Sequence, residues 1–333
     1  MTFPKLSVVM PAHNAERYIR LALQSLLDQT ETQFEIVVID DGSHDKTAQI
    51  VREFADESWP KVRLIQQENA GVSAARNVGI KTAIAPLVGF LDADDIWARA
   101  KVARHLDLME ARPDIDLGFS SFGFIDSNGD LLIDQSILKE GRYSHDDLIP
   151  RNFIHTSTVI ARREALLVVD GFDETLETYE DFDLWLRIAE LREANLYALE
   201  DKLAYYRRHD TQTTAQWAKM HEGWKRVAKR LERDHPAAWH QLKKVAWGNQ
   251  YEYAASLAYN ADDIPQMRSL MWKAWKAAGI GLFKDQNSII MLGIAVASRL
   301  PLPVQRLIGW TFNQLRLVKR RFAGHHVAQS GKG

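Results

Sequence analysis

Carboxylates gather at three places in this chain where their spacing suits chemistry. Asp92-Ala93-Asp94-Asp95 sets two acids on alternate positions. Two such groups can share one hard cation, Mn²⁺ or Mg²⁺, and leave positions open for diphosphate oxygens. A cation held there would neutralise charge on a departing phosphate. Asp40-Asp41-Gly42-Ser43 offers a carboxylate to a base or ribose, with Gly42 for a sharp turn and Ser43 to help cap the next helix. Glu180-Asp181 stands just ahead of an apolar helical pattern. Acids are favoured at a helix start, and one of this pair could take a proton from a hydroxyl. Between them, Asn69 to Asn77 places a Gly-containing turn before a helix that carries Arg76, suited to an anionic ligand. His209, in Tyr205-Tyr206-Arg207-Arg208-His209, is a candidate for metal or phosphate. Taken alone, each cluster reads equally well as a cap or a turn.

The elements around these residues give them their meaning. Leu6–Met10, Glu35–Ile39, Val62–Ile65 and Leu87–Leu91 are short, continuous apolar runs. They alternate with helical patterns over Glu16–Asp28, Asp45–Asp56 and Gly71–Ala83. Strands apolar on both faces, alternating with amphipathic helices, predict parallel βαβ units and an α/β fold. Ligands of such sheets bind beyond the carboxyl ends of the strands, where Asp40-Asp41 and Asp92–Asp95 fall. Further on, Gly118–Ile125 and Leu131–Ile133 predict strands around the turn Asp126-Ser127-Asn128-Gly129-Asp130. Thr158–Ala161 and Leu203–Arg207 also read as strands, Asp181–Leu191 as a helix, and pairing is expected to become mixed here.

From about Ala215 the texture becomes helical, and seven of the ten Trp lie beyond it. Trp247–Ala254 followed by Met267–Ala278 predicts a helical hairpin, with no clear repeat along the chain. The expected organisation is an α/β domain over 1–214, a helical region over 215–322 and a disordered tail over 323–333. After Asp285 every charged side chain is basic. Arg299, Arg306, Arg316, Lys319, Arg320 and Arg321 alternate with Leu, Trp310 and Phe, so 299–322 is a candidate for membrane-surface association. It reads equally well as a helix packed on its own domain.

Bulk properties narrow the class. The chain has 333 residues, 46% of them hydrophobic, enough for a sizeable core. A net charge of −2 provides no field for nucleic acid. The absence of cysteine removes disulfides and thiolate chemistry. Met1 to Lys5 run into a strand without a signal-peptide apolar segment, and Ile289–Ala297 falls short of the roughly 20 residues a spanning helix needs. With neither a Walker A sequence nor G-x-G-x-x-G, ATPase and dinucleotide-dehydrogenase readings lose their main support.

In this order, the pieces resemble glycosyltransferase family 2 with the GT-A fold. They are Ser7-Val8-Val9-Met10-Pro11-Ala12-His13-Asn14, Asp40–Ser43, Asn69–Asn77, Asp92–Asp95, Gly171-Phe172-Asp173-Glu174, and Glu180-Asp181 with Trp185. The resemblance spans roughly residues 5 to 210. It implies a mostly parallel sheet flanked by helices and an inverting transfer of one sugar from a nucleotide-diphosphate sugar, UDP-linked by default. The acceptor would be a hydroxyl of a glycan or lipid-linked molecule in cell-surface polysaccharide synthesis. Pro11, Ala12 and Asn14 would floor the nucleotide pocket. Asp41, with Asp40 beside it, would meet base and ribose, and Arg76, Asp92 and Ala93 would meet the donor. Asp94, with His209, would hold Mn²⁺ or Mg²⁺, and Asp181 would be the catalytic base. No Gln-X-X-Arg-Trp segment is present, which argues against processive synthesis.

Two other functions compete with this reading. One is a nucleotide-sugar-binding protein without turnover, against which the carboxylates at 41, 94 and 181 argue. The other is a nucleotidyltransferase, which would carry a Gly-rich basic loop where Pro11–Ala15 stand. The expected location is cytoplasmic, peripheral at the cytoplasmic face of the membrane.

Overall fold

The computed structural model describes residues 3–57, 62–132, 138–209, 217–261 and 263–279. Two compact units divide between His209 and Asp210.

The first unit opens with β1 (Leu6–Ala12), α1 (Ile19–Leu27), β2 (Phe34–Asp41), α2 (Thr47–Glu57), β3 (Val62–Gln67), α3 (Val72–Thr82) and β4 (Leu87–Phe90). β1 pairs in parallel with β2 and β4, and β2 with β3, as the alternation predicts. Every residue of β1 and β2 is buried, because both faces of the sheet are covered. Leu6, Val8, Met10, Ile36 and Val38 enter the large core, together with Leu23 of α1 and Val51 of α2. The alternate residues Val37 and Ile39 meet Ala75 of α3 on the opposite face. Gly79 allows α3 to lie close against β1, since a Cβ there would overlap the methyl groups of Val9.

The second half of this unit is mixed. It comprises β5 (Ile96–Trp97), α4 (Lys101–Ala111), β6 (Leu117–Ile125), β7 (Gly141–Tyr143), α5 (His145–Leu148), a 3₁₀ turn (Thr156–Thr158), β8 (Ile160–Arg162), α6 (Arg163–Val168), α7 (Glu180–Ala189) and β9 (Leu196–Arg207). The sheet order is β3-β2-β1-β4-β8-β6-β9-β5, with β7 paired to β9. β8 joins the halves, antiparallel to both β4 and β6. β6 and β9 run parallel, so the pairing is mixed from β8 onward.

Some local expectations are corrected. Thr158 closes the 3₁₀ turn, and strand begins at Ile160. Leu131 makes a single bridge to Ile125 and lies in no strand, while Ile133 falls outside the described residues. The Asp126–Asp130 turn folds on its own polar chemistry: Asp126 Oδ1 accepts the backbone N–H groups of Asn128 and Asp130. β9 begins at Leu196, seven residues ahead of the predicted Leu203.

The second unit contains α8 (Trp217–Asp234), α9 (Pro236–Asn260) and α10 (Ile264–Ala278). Ala254, Ala255 and Ala258 of α9 pack on Met267, Leu270 and Met271 of α10, the predicted hairpin. Trp224 of α8 meets Trp239 and Trp247 of α9 with ring centroids 6.5 and 6.0 Å apart. Asp263 caps α10 by accepting the Gln266 N–H. Among the described residues, no helix is long and apolar enough to cross a membrane. The segments 299–322 and 323–333 lie outside the described residues.

Candidate active site

The site forms beyond the carboxyl ends of β1, β2 and β4. Asp40 and Asp41 end β2 and are nearly fully buried. Asp40 accepts the Ser43 N–H and the Gln66 side-chain amide. Asp41 accepts the backbone N–H groups of Ala70 and Gly71, each at 2.9 Å, and the Gln67 amide at 2.8 Å. Its carboxylate therefore shapes the loop ahead of α3 as well as standing at the strand tip. Asn14 sits at positive φ and ties β1 to this turn: its N–H donates to Ser43 Oγ and its Oδ1 accepts the His44 N–H. Pro11 and Ala12 are buried at the carboxyl end of β1.

The acidic turn follows β4. Ala93 is 7% exposed and its side chain belongs to the core. Asp92, Asp94 and Asp95 take different environments. Asp95 is wholly buried, accepting Ser157 Oγ–H at 2.6 Å and the Arg207 N–H at 3.0 Å. Burial, then the charges of Asp94 and Asp92, push its carboxyl well above the usual range. Arg207 straps this turn from β9, donating from Nε to the Asp94 carbonyl and from a terminal nitrogen to the Asp126 carbonyl. Two residues on, His209 Nε2 lies 2.9 Å from Asp94 Oδ2, and its ring is 5.2 Å from that of Tyr18. The strand end therefore brings together the two residues expected to hold a metal.

Arg76 joins the acidic turn to the acid pair. Its terminal nitrogens donate to Asp92 Oδ1 at 2.7 Å and to Glu180 Oε1 at 3.0 Å, and its guanidinium lies over Phe172. Both terminal nitrogens are thus engaged within the protein, so Arg76 clamps the two motifs together. Burial would raise the Asp92 carboxyl, but Arg76, with His155, holds it below its usual range. Removing one partner of a buried pair leaves an uncompensated charge. Arg76→Gln is therefore expected to cost about 3–5 kcal/mol of stability. Urea melts at pH 7 check this, and a loss below about 1 kcal/mol would contradict the buried clamp.

α7 starts abruptly. Tyr179 adopts a left-handed backbone, φ 63°, and places Glu180 and Asp181 in the first turn. Asp181 Oδ1 accepts the Phe182 N–H at 2.6 Å. Burial, then the neighbouring Glu180, raise its carboxyl to about 7, against the opposing pull of Phe182 N–H, Arg76 and Asn152. A carboxyl that titrates there can exchange a proton near neutral pH.

Among the described residues of this site, two groups of ligand atoms come close enough to hold a cation. Asp94 with His209 is the partly exposed one. Asp92, Asp95 and His155 bring three ligand atoms within 4.8 Å of one another. In that second group Asp95 is already engaged on both oxygens, by Ser157 and Arg207. The carboxylate-plus-imidazole chemistry of Asp94 and His209, beside Asp92, fits a divalent cation such as Mn²⁺ or Mg²⁺ better. His155, Asn152, Thr156, Ser157 and Arg207 escape sequence reasoning as site residues. They lie in segments without periodicity or on a strand where alternation says nothing of a site.

Residues 7–169 match the family model described as glycosyl transferase family 2. This stretch, within the first unit, is of the family 2 glycosyltransferase type. The putative teichuronic acid biosynthesis glycosyltransferase TuaG of Bacillus subtilis is 29% identical over 235 residues, 70% of this chain and 90% of TuaG. The chain spans less than two thirds, at most 66%, of several other curated glycosyltransferases it matches. Among solved structures, S. aureus TarS 1-349 in complex with UDP-GlcNAc superposes with TM-score 0.62 at 22% identity, over 93% of this chain and 92% of that one. Mannosyltransferase PcManGT from Pyrobaculum calidifontis, in complex with GDP-Man and Mn²⁺, gives TM-score 0.60 at 20% identity, over 96% and 86%. These likenesses show that the glycosyltransferase unit has the GT-A fold, a central sheet flanked by helices.

Proposed function

We propose that this protein transfers one sugar, with inversion, from a nucleotide-diphosphate sugar to a hydroxyl of a glycan or lipid-linked acceptor in cell-surface polysaccharide synthesis. The observation that carries it is the Arg76 clamp. One guanidinium ties Asp92 of the acidic turn to Glu180, the neighbour of Asp181, so a donor grip and a base are held in one buried network. Asp181 removes the proton of the acceptor hydroxyl, whose oxygen forms a bond to the anomeric carbon. The bond from that carbon to the diphosphate breaks on the opposite face, and the nucleoside diphosphate leaves. A Mn²⁺ or Mg²⁺ ion held by Asp94 and His209 would supply positive charge for that leaving group. UDP is the favoured carrier and Mn²⁺ the favoured metal. The solved complexes of TarS with UDP-GlcNAc and of PcManGT with GDP-Man and Mn²⁺ support both the donor class and the metal.

The test is a thermal-shift panel of UDP-, GDP- and dTDP-sugars with and without Mn²⁺. A binder at 100 times its Kd adds about 2.7 kcal/mol of apparent stability. Donors that shift the melt only with Mn²⁺ present support the reading, and a panel without any shift would sink it.

We further propose a peripheral position at the cytoplasmic face of a membrane. α10 supports it: Trp272 and Trp275 are exposed and stack at 4.8 Å, with Lys276 over Trp272, and the helix carries no acid from Ile264 to Ala278. Trp with Lys on one face suits an anionic interface. Deletion of 299–333 combined with Trp272→Ala and Trp275→Ala is expected to release the protein from phosphatidylglycerol vesicles in a flotation assay. Equal flotation of the altered and unaltered chains would refute it.

A further inference from the structure

Between Asn152 and Thr158 one short stretch of chain serves two parts of the site. His155 and Ser157 go to the acidic turn. His155 Nδ1 lies 3.8 Å from Asp95 Oδ2, and Ser157 Oγ donates to Asp95 and accepts the Asp92 N–H at 3.2 Å. Asn152 and Thr156 go to Asp181. Asn152 Nδ2 is 3.3 Å from each carboxylate oxygen, and Thr156 Oγ1 donates to Oδ2 at 3.4 Å. The Asn152 amide is not free to flip: its Oδ1 accepts the Ile154 N–H at 3.2 Å, which leaves the NH₂ group for the carboxylate. The stretch is also fixed from behind. Trp97 Nε1 donates to the Ser157 carbonyl at 2.7 Å, and the fully buried Lys101 Nζ donates to the Thr158 carbonyl at 2.6 Å.

We propose that Asn152 and Thr156 are positioning residues for Asp181. They hold its carboxylate in one orientation and favour its charged form, on a turn that Trp97 and Lys101 lock to the metal-binding side of the site. This rests on the reading of Asp181 as the base. The charged groups acting on Asp181 are Glu180 beside it on α7, which opposes ionisation, and Arg76 from α3, which favours it. Asn152 adds the neutral donor that favours the anion. Shared over both oxygens at 3.3 Å, its donation is long for an N–H···O bond. It steadies the carboxylate while leaving the oxygens able to accept a proton.

A melting cycle tests the charge-holding part without substrate. Wild type, Asn152→Ala, Asp181→Asn and the double variant are compared at pH 5.5 and pH 8.5. Below about 7 Asp181 is protonated, and a donor to the anion matters little. Above it the anion needs that donor. The Asn152→Ala loss of Tm is therefore expected to be larger at pH 8.5, and its pH dependence to vanish on the Asp181→Asn background. An equal loss at both pH values would overturn the proposal. The kinetic arm monitors hydrolysis of UDP-GlcNAc with Mn²⁺ across pH. Asn152→Ala should move the acid limb of kcat up by roughly one pH unit, Thr156→Val by less, with KM for UDP-GlcNAc within about twofold. Asn152→Asp, which keeps the side-chain shape and adds a like charge, should move it further. An unshifted limb, or a uniform loss at every pH, would overturn the proposal. Undiminished hydrolysis in Asp181→Ala would instead remove the base reading, an outcome the melting cycle keeps separate.

Discussion

Asp181→Asn is expected to lower glycosyl transfer by about 10²–10⁴-fold, the range that general bases contribute. The side chain keeps its shape and its neighbours, so the loss should fall on kcat and spare donor affinity. The pH profile carries the same signature. A base must be unprotonated, and Asp181 titrates at about 7. Activity of the native enzyme should therefore fall about tenfold per pH unit well below 7 and level off above it. The stability effect has the opposite sign. The folded-state value lies above the ordinary 3.8 of an aspartate, so ionising Asp181 works against the fold, and stability is lost as pH rises from the unfolded value through about 7. Asp181→Asn removes that cost, and its Tm should exceed that of wild type at pH 8.5 while the two converge at acid pH. A variant both inactive and more stable at high pH is what a buried base predicts. Retention of full kcat would remove Asp181 from the chemistry.

The second large effect concerns the metal. Asp94→Ala is expected to abolish the Mn²⁺-dependent part of the donor-induced melting shift. It should also reduce transfer by about 10³-fold, since a metal at the leaving group contributes several kcal/mol. His209→Ala should weaken the Mn²⁺ response in the same direction, because its Nε2 lies 2.9 Å from Asp94 Oδ2. His155→Ala separates the two candidate groups. If the cation sat among Asp92, Asp95 and His155, this variant would lose the Mn²⁺ response while His209→Ala kept it. The geometry leads to the reverse expectation: Asp95 is enclosed by Ser157 and Arg207, whereas Asp94 and His209 are partly open.

Much of this arrangement can be read from residue types in order. Apolar runs ending in Asp40-Asp41 and Asp92–Asp95 specify parallel strands with acids at their tips, because period and composition encode burial on both faces. Glu180-Asp181 ahead of an apolar helical pattern specifies acids in a first helical turn. The Trp- and Ala-rich segments specify the α9–α10 hairpin for the same reason. Local pattern fails where an element is short or its partner is distant in sequence. The start of β9 has no alternation to mark it, since Leu196 to Leu199 are all buried. Leu131 looks like strand but forms only one bridge.

The acidic strand tips, the order of the motifs and the fold class are legible along the chain, because each is a property of neighbours in sequence. Tertiary structure decided how those acids differ. Asp92 is held low by Arg76, sixteen positions away; Asp95 is sealed among buried polar groups; Asp94 is left beside His209, 115 positions on. It also brought Asn152 and Thr156 to Asp181 and set Arg76 between Asp92 and Glu180. A carboxylate's charge depends on burial and on which charges lie within a few ångströms, and chain folding alone sets those distances.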